Sequence, residues 1–153
     1  MLKTALLIII FCCVVYIGVC IANHYKLRKM FFESLINFCN HLKAEIGFSK
    51  LGLSCIVAKY AESYSKEFYM VIKNFPSQIA MSPILTKAEC LAVNNFLNNL
   101  GKFDCITEQE NIKSALISFD SFLSQSVFSF NKNYSTTIKL CVLMAIGILI
   151  VLW

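Results

Sequence analysis

The sequence predicts an all-α protein, a small helical bundle carried between an N-terminal and a C-terminal transmembrane helix. Three observations lead there. Of the 88 apolar residues among 153, 33 fall within residues 1–22 and 138–153, which leaves the 115 residues between them with the apolar share of an ordinary soluble domain. Within that middle the apolar residues recur in steps of three and four and nowhere alternate in twos, the pattern of helices rather than strands. Helix start and stop chemistry also punctuates it. With 15% charged residues and a mean hydropathy of +0.66, the chain is neither a fully soluble enzyme nor a disordered tail, and its middle has the length of one compact domain.

The expected division is a first span and N-terminus over 1–23, a helical domain over 24–134 and a second span over 135–153. From Thr4 to Ala22 no residue is charged, and nineteen helical residues at about 1.5 Å each cross a hydrocarbon core of about 30 Å. The competing reading is a secretory signal peptide, with Lys3 as its basic start and Cys20-Ile21-Ala22 as a loose cleavage site. Its hydrophobic region would be unusually long, and Val19 before Cys20 does not suit a lipoprotein site.

After the basic exit, Phe31, Leu35, Phe38, Leu42 and Ile46 form one stripe of an amphipathic helix over 30–46. Gly47 and Gly52 bracket a break. Helical spacing resumes from Leu53 to Phe75, in one piece or two, and Pro76 and Pro83 confine 76–84 to a loop. In Leu85-Thr86-Lys87-Ala88-Glu89, Thr86 caps a new helix while Glu89 reaches back to its amide. That helix carries Cys90, Val93, Leu97 and Leu100 on one side, and Gly101 sits where a left-handed C-terminal residue is wanted. Asp104 is placed to cap the next helix, with Thr107 and Glu110 offering a second capping box. Ile112, Leu116, Phe119, Leu123, Val127 and Phe130 then hold a seam that runs on into the second span as one long helix. Such a seam serves packing within the bundle, or dimerisation or a partner helix.

The second span is short, and its competing reading is a buried C-terminal core helix, which rarely ends in a run as apolar as Ile148-Leu149-Ile150-Val151-Leu152-Trp153. From Leu140 alone it covers about 21 Å, so Lys139 is expected to snorkel, Ser135 to Thr137 to extend the helix, and Trp153 to anchor the far interface. Lys26, Arg28 and Lys29 follow the first span and Lys132 and Lys139 border the second, whereas only Lys3 lies outside them. This bias orients the middle domain toward the cytoplasm with both termini outside. The domain's modest positive excess is that same basic cluster, which reads as a topology signal and not as a nucleic-acid surface.

Of the eight cysteines, Cys12, Cys13, Cys20 and Cys141 fall in the spans, and Cys39, Cys55, Cys90 and Cys105 are scattered without zinc spacing. In a cytoplasmic domain they read as reduced, small, buried side chains. His24 and His41 have no cysteine or carboxylate motif beside them and read as solvated or structural. Phosphate-loop, dinucleotide, zinc-protease and nucleophile-elbow motifs are absent from the sequence. No catalytic residue, cofactor or metal is therefore expected.

The basic exit, Leu42-Lys43-Ala44-Glu45-Ile46, Leu85-Thr86-x-x-Glu89, Phe96-x-x-x-Leu100-Gly101-x-x-Asp104 and the two terminal spans occur in one order. In that order the chain resembles the stage III sporulation protein AB family, whose members are similar to the cytoplasmic helical domains of type II secretion F and pilus-platform proteins. Where the family has an aromatic-glycine turn and Thr-Pro-Leu, this chain has Phe48-Ser49-Lys50-Leu51-Gly52-Leu53, and Glu108 stands at the family's glutamine. The segment between 64 and 85 is also shorter.

The resemblance implies a subunit of the channel complex between mother cell and forespore. It would lie in the mother-cell membrane surrounding the forespore, beside the stage III sporulation AA ATPase and other membrane subunits of that complex. It points to Glu45, Leu100, Gly101 and Asp104 as partner-binding positions. Each also has a structural reading: Gly101 ends a helix, Asp104 starts one, Leu100 packs, and Glu45 is a solvated carboxylate. The function expected is a non-enzymatic platform that anchors or couples the ATPase. A membrane-permeabilising or transport subunit is the alternative, and it would call for ionisable groups inside the spans.

Overall fold

The computed structural model describes residues 2–48, 53–60, 63–73 and 84–152. Among these the secondary structure is helical, with no strand: α1 (Leu2–Phe48), α2 (Leu53–Tyr60), α3 (Lys66–Lys73), α4 (Lys87–Asn99) and α5 (Cys105–Leu152). The chain forms two compact units, Met1–Leu27 with Ser126–Trp153, and Arg28–Gln125. Their limits fall inside α1 and α5, so neither long helix belongs to one unit alone.

In the unit Arg28–Gln125, the stripe on α1 becomes the spine of the core. Phe31, Phe32, Leu35, Phe38, Cys39 and Leu42 are buried there, and they pack with Ile56 of α2, Tyr64, Phe68 of α3, Val93 and Leu97 of α4, and Ile112 and Phe119 of α5. Aromatic edges meet faces across elements, with Phe31 and Phe38 at 5.4 and 5.7 Å from Phe68 and Phe96 at 5.3 Å from Phe119. Burying each such ring contributes about 3 kcal/mol, and each edge-to-face pair adds about 1 kcal/mol. Ser34 also ties α1 to the start of α3, because its hydroxyl donates to the Met30 carbonyl and accepts from the Ser65 amide.

The helix signals are realised locally. Thr86 accepts from the Glu89 amide, and Glu89 Oε2 accepts from the Thr86 amide at 2.9 Å, closing the capping box. Gly101 follows α4 at φ +78°, the left-handed region where a side chain would be strained. Asp104 Oδ2 accepts from the Thr107 amide at 3.3 Å. Because α5 begins at Cys105, Thr107 lies inside its first turn, and the second capping box expected at Thr107 and Glu110 does not form. The region from Leu53 divides into α2 and α3. Gly47, expected to open a break, is helical within α1, and the rest of that break up to Gly52, like the loop expected over 76–84 except for Ile84, lies outside the described residues.

The other unit pairs the N-terminal part of α1 with the C-terminal part of α5. A Cβ placed on Gly18 would stand 2.6 Å from Cys141 Cβ and 2.8 Å from its Sγ, so only glycine permits this approach of the two helices. Leu7, Gly18, Ala22, Ser126 and Ala145 are buried. Leu6, Ile9, Tyr16 and Ile17 on one helix, and Leu140, Leu143 and Ile150 on the other, are exposed. Among the described residues one helix, α1, is long and apolar enough to cross a membrane, with a mean hydropathy of 2.8 over its most apolar window, of which 17% is buried. Among the described residues no second such helix is evident: the span expected over 135–153 falls on α5, and Trp153, its expected anchor, lies outside the described residues.

Candidate functional site

The four residues singled out by the sequence fall in two places in the unit Arg28–Gln125. Leu100 and Gly101 form the turn between α4 and α5. With Leu42 and Ile46 of α1 and Ile56 of α2 they line a cavity of about 180 Å³. Glu45 lies between Leu42 and Ile46 in sequence, but its carboxylate serves α2 instead. Lys59 Nζ donates to Glu45 Oε1 at 2.6 Å and Tyr60 Oη donates to it at 3.2 Å. The Glu45 side chain is buried, which corrects its reading as a solvated carboxylate. The hydrogen bond from Lys59 holds that ammonium above its ordinary pKa.

His41 completes this cluster one turn earlier on α1. Its ring stacks on Tyr60 at 3.8 Å between centroids, and its Nδ1 lies 3.1 Å from Tyr64 Oη. Desolvation, with the Lys59 charge, lowers the imidazole pKa against the opposing pull of Glu45. Burial pushes the Tyr64 phenol up to about 12. Stacked on Tyr60 and within hydrogen-bond distance of Tyr64, the imidazole packs α1 against the segment that follows.

Asp104 is exposed, and its bonds to Thr107 lower its pKa, as a helix cap should. It does not line the cavity. Glu108, marked in the sequence only as standing at the family's glutamine, lies one turn further on. Glu108 is 5% exposed and its Oε1 accepts from the Gly101 amide at 3.0 Å, so it fixes the Leu100–Gly101 turn from beneath. Among the described residues its buried Oε2 has no hydrogen-bond partner.

On the other side of the same turn lies a second cavity of about 280 Å³ between α4 and α5. Asn95 and Asn99 face it from α4, and Asn111, Ser114 and Ser118 from α5. Leu100, Phe103 and Glu108 border both cavities. The asparagines at i and i+4 before Leu100 were a legible signal, since such a polar uncharged stripe is of no use to the core. Among the described residues no group of three or more His, Cys, Asp or Glu side chains could hold a metal.

The cysteines divide differently from the expectation of uniformly buried thiols. Cys39 and Cys90 are buried, and burial pushes the Cys39 thiol up to about 12, whereas Cys55 and Cys105 are exposed. Arg28, expected only to mark topology, donates to Glu89 Oε1 at 2.5 Å and joins α1 to α4. Comparison with family models, with curated proteins and with solved structures finds no match to this chain.

Proposed function

We propose that the protein is a non-enzymatic membrane platform: the unit Met1–Leu27 with Ser126–Trp153 is a two-helix membrane hairpin that holds the unit Arg28–Gln125 at the cytoplasmic face. The observation that carries this reading is the hairpin itself. Gly18 lets one helix approach Cys141 of the other, small residues (Ala22, Ser126, Ala145) are buried with Leu7, and leucine, isoleucine and tyrosine are exposed, as on helices that lipid rather than water surrounds. That supports a second span over 135–153 beside the first. The basic residues at 26–29, 132 and 139 support a cytoplasmic domain.

The partner follows from the resemblance to the stage III sporulation protein AB family. The domain would anchor or couple the stage III sporulation AA ATPase to the mother-cell membrane around the forespore, beside other subunits of the channel complex. Confinement to the membrane and several weak contacts raise the effective concentration of a soluble partner without any catalytic residue. A permeabilising subunit would place ionisable groups in the hairpin interior, where the buried residues are Leu7, Gly18, Ala22, Ser126 and Ala145.

Co-expression tests the platform. The ATPase should sediment with membranes when the full chain is present and remain soluble without it. An ATPase equally soluble in both cases removes the coupling role.

A further inference from the structure

Topology depends on how many cations border a span, whereas recognition depends on where they stand. In the unit Met1–Leu27 with Ser126–Trp153 the charged residues are Lys3, Lys26, Lys132 and Lys139, and neither segment contains an aspartate or glutamate. Lys132 and Lys139 are exposed, and among the described residues neither forms an ion pair. Lys132, Ser135, Thr136 and Lys139 follow one another on α5 in steps of three, one and three, so they share one helix face, and Ser135 and Thr136 are exposed as well. The two lysines stand two turns, about 10 Å, apart along the axis with the hydroxyls between them. Thr136 Oγ1 donates to the Lys132 carbonyl at 2.8 Å, which leaves Ser135 as the hydroxyl donor of the stripe. The face continues as apolar surface in both directions. One turn before it Phe128 is exposed, with Lys132 Nζ 5.9 Å from its ring centroid. After it Leu143, Ile146 and Ile150 are exposed at the same helical spacing, and the strip from Lys139 to Ile150 is about 16 Å long.

We propose that this face of α5 is a binding site for one phospholipid with an anionic headgroup, such as phosphatidylglycerol. Lys132 and Lys139 close on the phosphate from either side through their flexible stems, and Ser135 donates its hydroxyl to it. The acyl chains lie along Leu143, Ile146 and Ile150. Charge and polarity together select the occupant. A pair of cations with no carboxylate in its own unit calls for an anion, and a headgroup site that passes directly into an apolar strip suits an anion that carries hydrocarbon. A zwitterionic headgroup brings its own cation to the two ammonium groups and is disfavoured. Each cation near an anionic leaflet strengthens binding about fivefold.

The site rests on the platform reading in taking this end of α5 to lie in lipid, and the two fail differently. A full chain recovered soluble without detergent removes the platform reading, and the site with it. The full chain in micelles is titrated with phosphatidylglycerol or with phosphatidylcholine of the same acyl chains, and bound lipid is counted by native mass spectrometry. The first phosphatidylglycerol should be held at least tenfold more tightly than phosphatidylcholine. Lys132→Gln and Lys139→Gln should each weaken it about fivefold, with an unchanged helical spectrum. Lys113→Gln, which removes an exposed lysine of the helical domain, should weaken it less than twofold. Glycerophosphoglycerol, the same headgroup without acyl chains, should not displace the lipid. Equal binding of the two lipids by the micelle-embedded chain overturns the proposal, and so does an equal loss in Lys113→Gln, which would reduce the effect to net charge. Displacement by glycerophosphoglycerol overturns it too and assigns the lysines to a soluble anion.

Discussion

Three cations leave the first span together, and they differ in what their removal costs. Arg28 pairs with Glu89, whose side chain is 3% exposed against 18% for Arg28. Lys29 lies 3.6 Å from Glu33 one turn away, with both side chains well exposed. Breaking a buried pair by removing one partner costs about 3–5 kcal/mol, because the other charge is left without compensation. Glu89 keeps the amide of Thr86 on its second oxygen, which places Arg28→Ala near the lower end, about 3 kcal/mol. A pair at this spacing with exposed side chains is worth about 0.3–0.5 kcal/mol, so losing it costs far less than losing the Arg28 pair. For a domain of this size the first loss lowers the midpoint of thermal unfolding by roughly 12–24 °C, and the loss of the Lys29–Glu33 pair accounts for about 2–4 °C. The readout is the reaction of Cys39 and Cys90, both buried, with a fluorogenic maleimide during heating of the full chain in micelles, on a background in which Cys12, Cys13, Cys20, Cys55, Cys105 and Cys141 are replaced. Equal shifts for Arg28→Ala and Lys29→Ala would refute the reasoning and return Arg28 to a purely topological role.

Three further outcomes follow from the geometry. Gly101→Ala meets no atom within 4 Å, so its cost is the left-handed backbone alone, about 1–2 kcal/mol. Gly101→Asn should cost less in the same unfolding assay. Gly18→Ala overpacks the hairpin against Cys141 and should cost about 1–3 kcal/mol, read as a lower SDS fraction at unfolding in mixed micelles, with Cys141→Gly relieving much of it. Because the folded pKa of His41 lies below its ordinary 6.5, the unfolded chain takes up the proton first, and stability falls as pH drops below about 6.5. The thermal midpoint should fall less steeply between pH 7 and 5.5 in His41→Gln.

The helices were legible because their signals are local. The stripe Phe31 to Ile46 and the Thr86–Glu89 box each lie within a few turns, and each settles its element without reference to the rest of the chain. Asp104 took the cap alone because it precedes α5 directly, and Thr107, three residues later, then had no terminus to serve. What a one-dimensional pattern does not carry is which polar group meets which across the bundle. Arg28 and Glu89 are 61 residues apart, and nothing near Arg28 distinguishes it from Lys26 or Lys29. Glu45 reads as a surface carboxylate until α2 brings Lys59 and Tyr60 over it. Glu108 reads as a first-turn acid, an ordinary helix preference, until the positive φ of Gly101 aims its amide at the carboxylate. Of the site, Leu100 and Gly101 were in view from the sequence, and the acid beneath them was not.

The central claim is that a membrane hairpin holds the helical domain on the cytoplasmic side, and the two exposed domain thiols test it most directly. In the full chain with Cys12, Cys13, Cys20 and Cys141 replaced by alanine, a membrane-impermeant maleimide is added to intact cells and, separately, to lysed cells. Cys55 and Cys105, both exposed, should stay unlabelled in intact cells and react after lysis. Labelling of either from outside an intact cell contradicts the account.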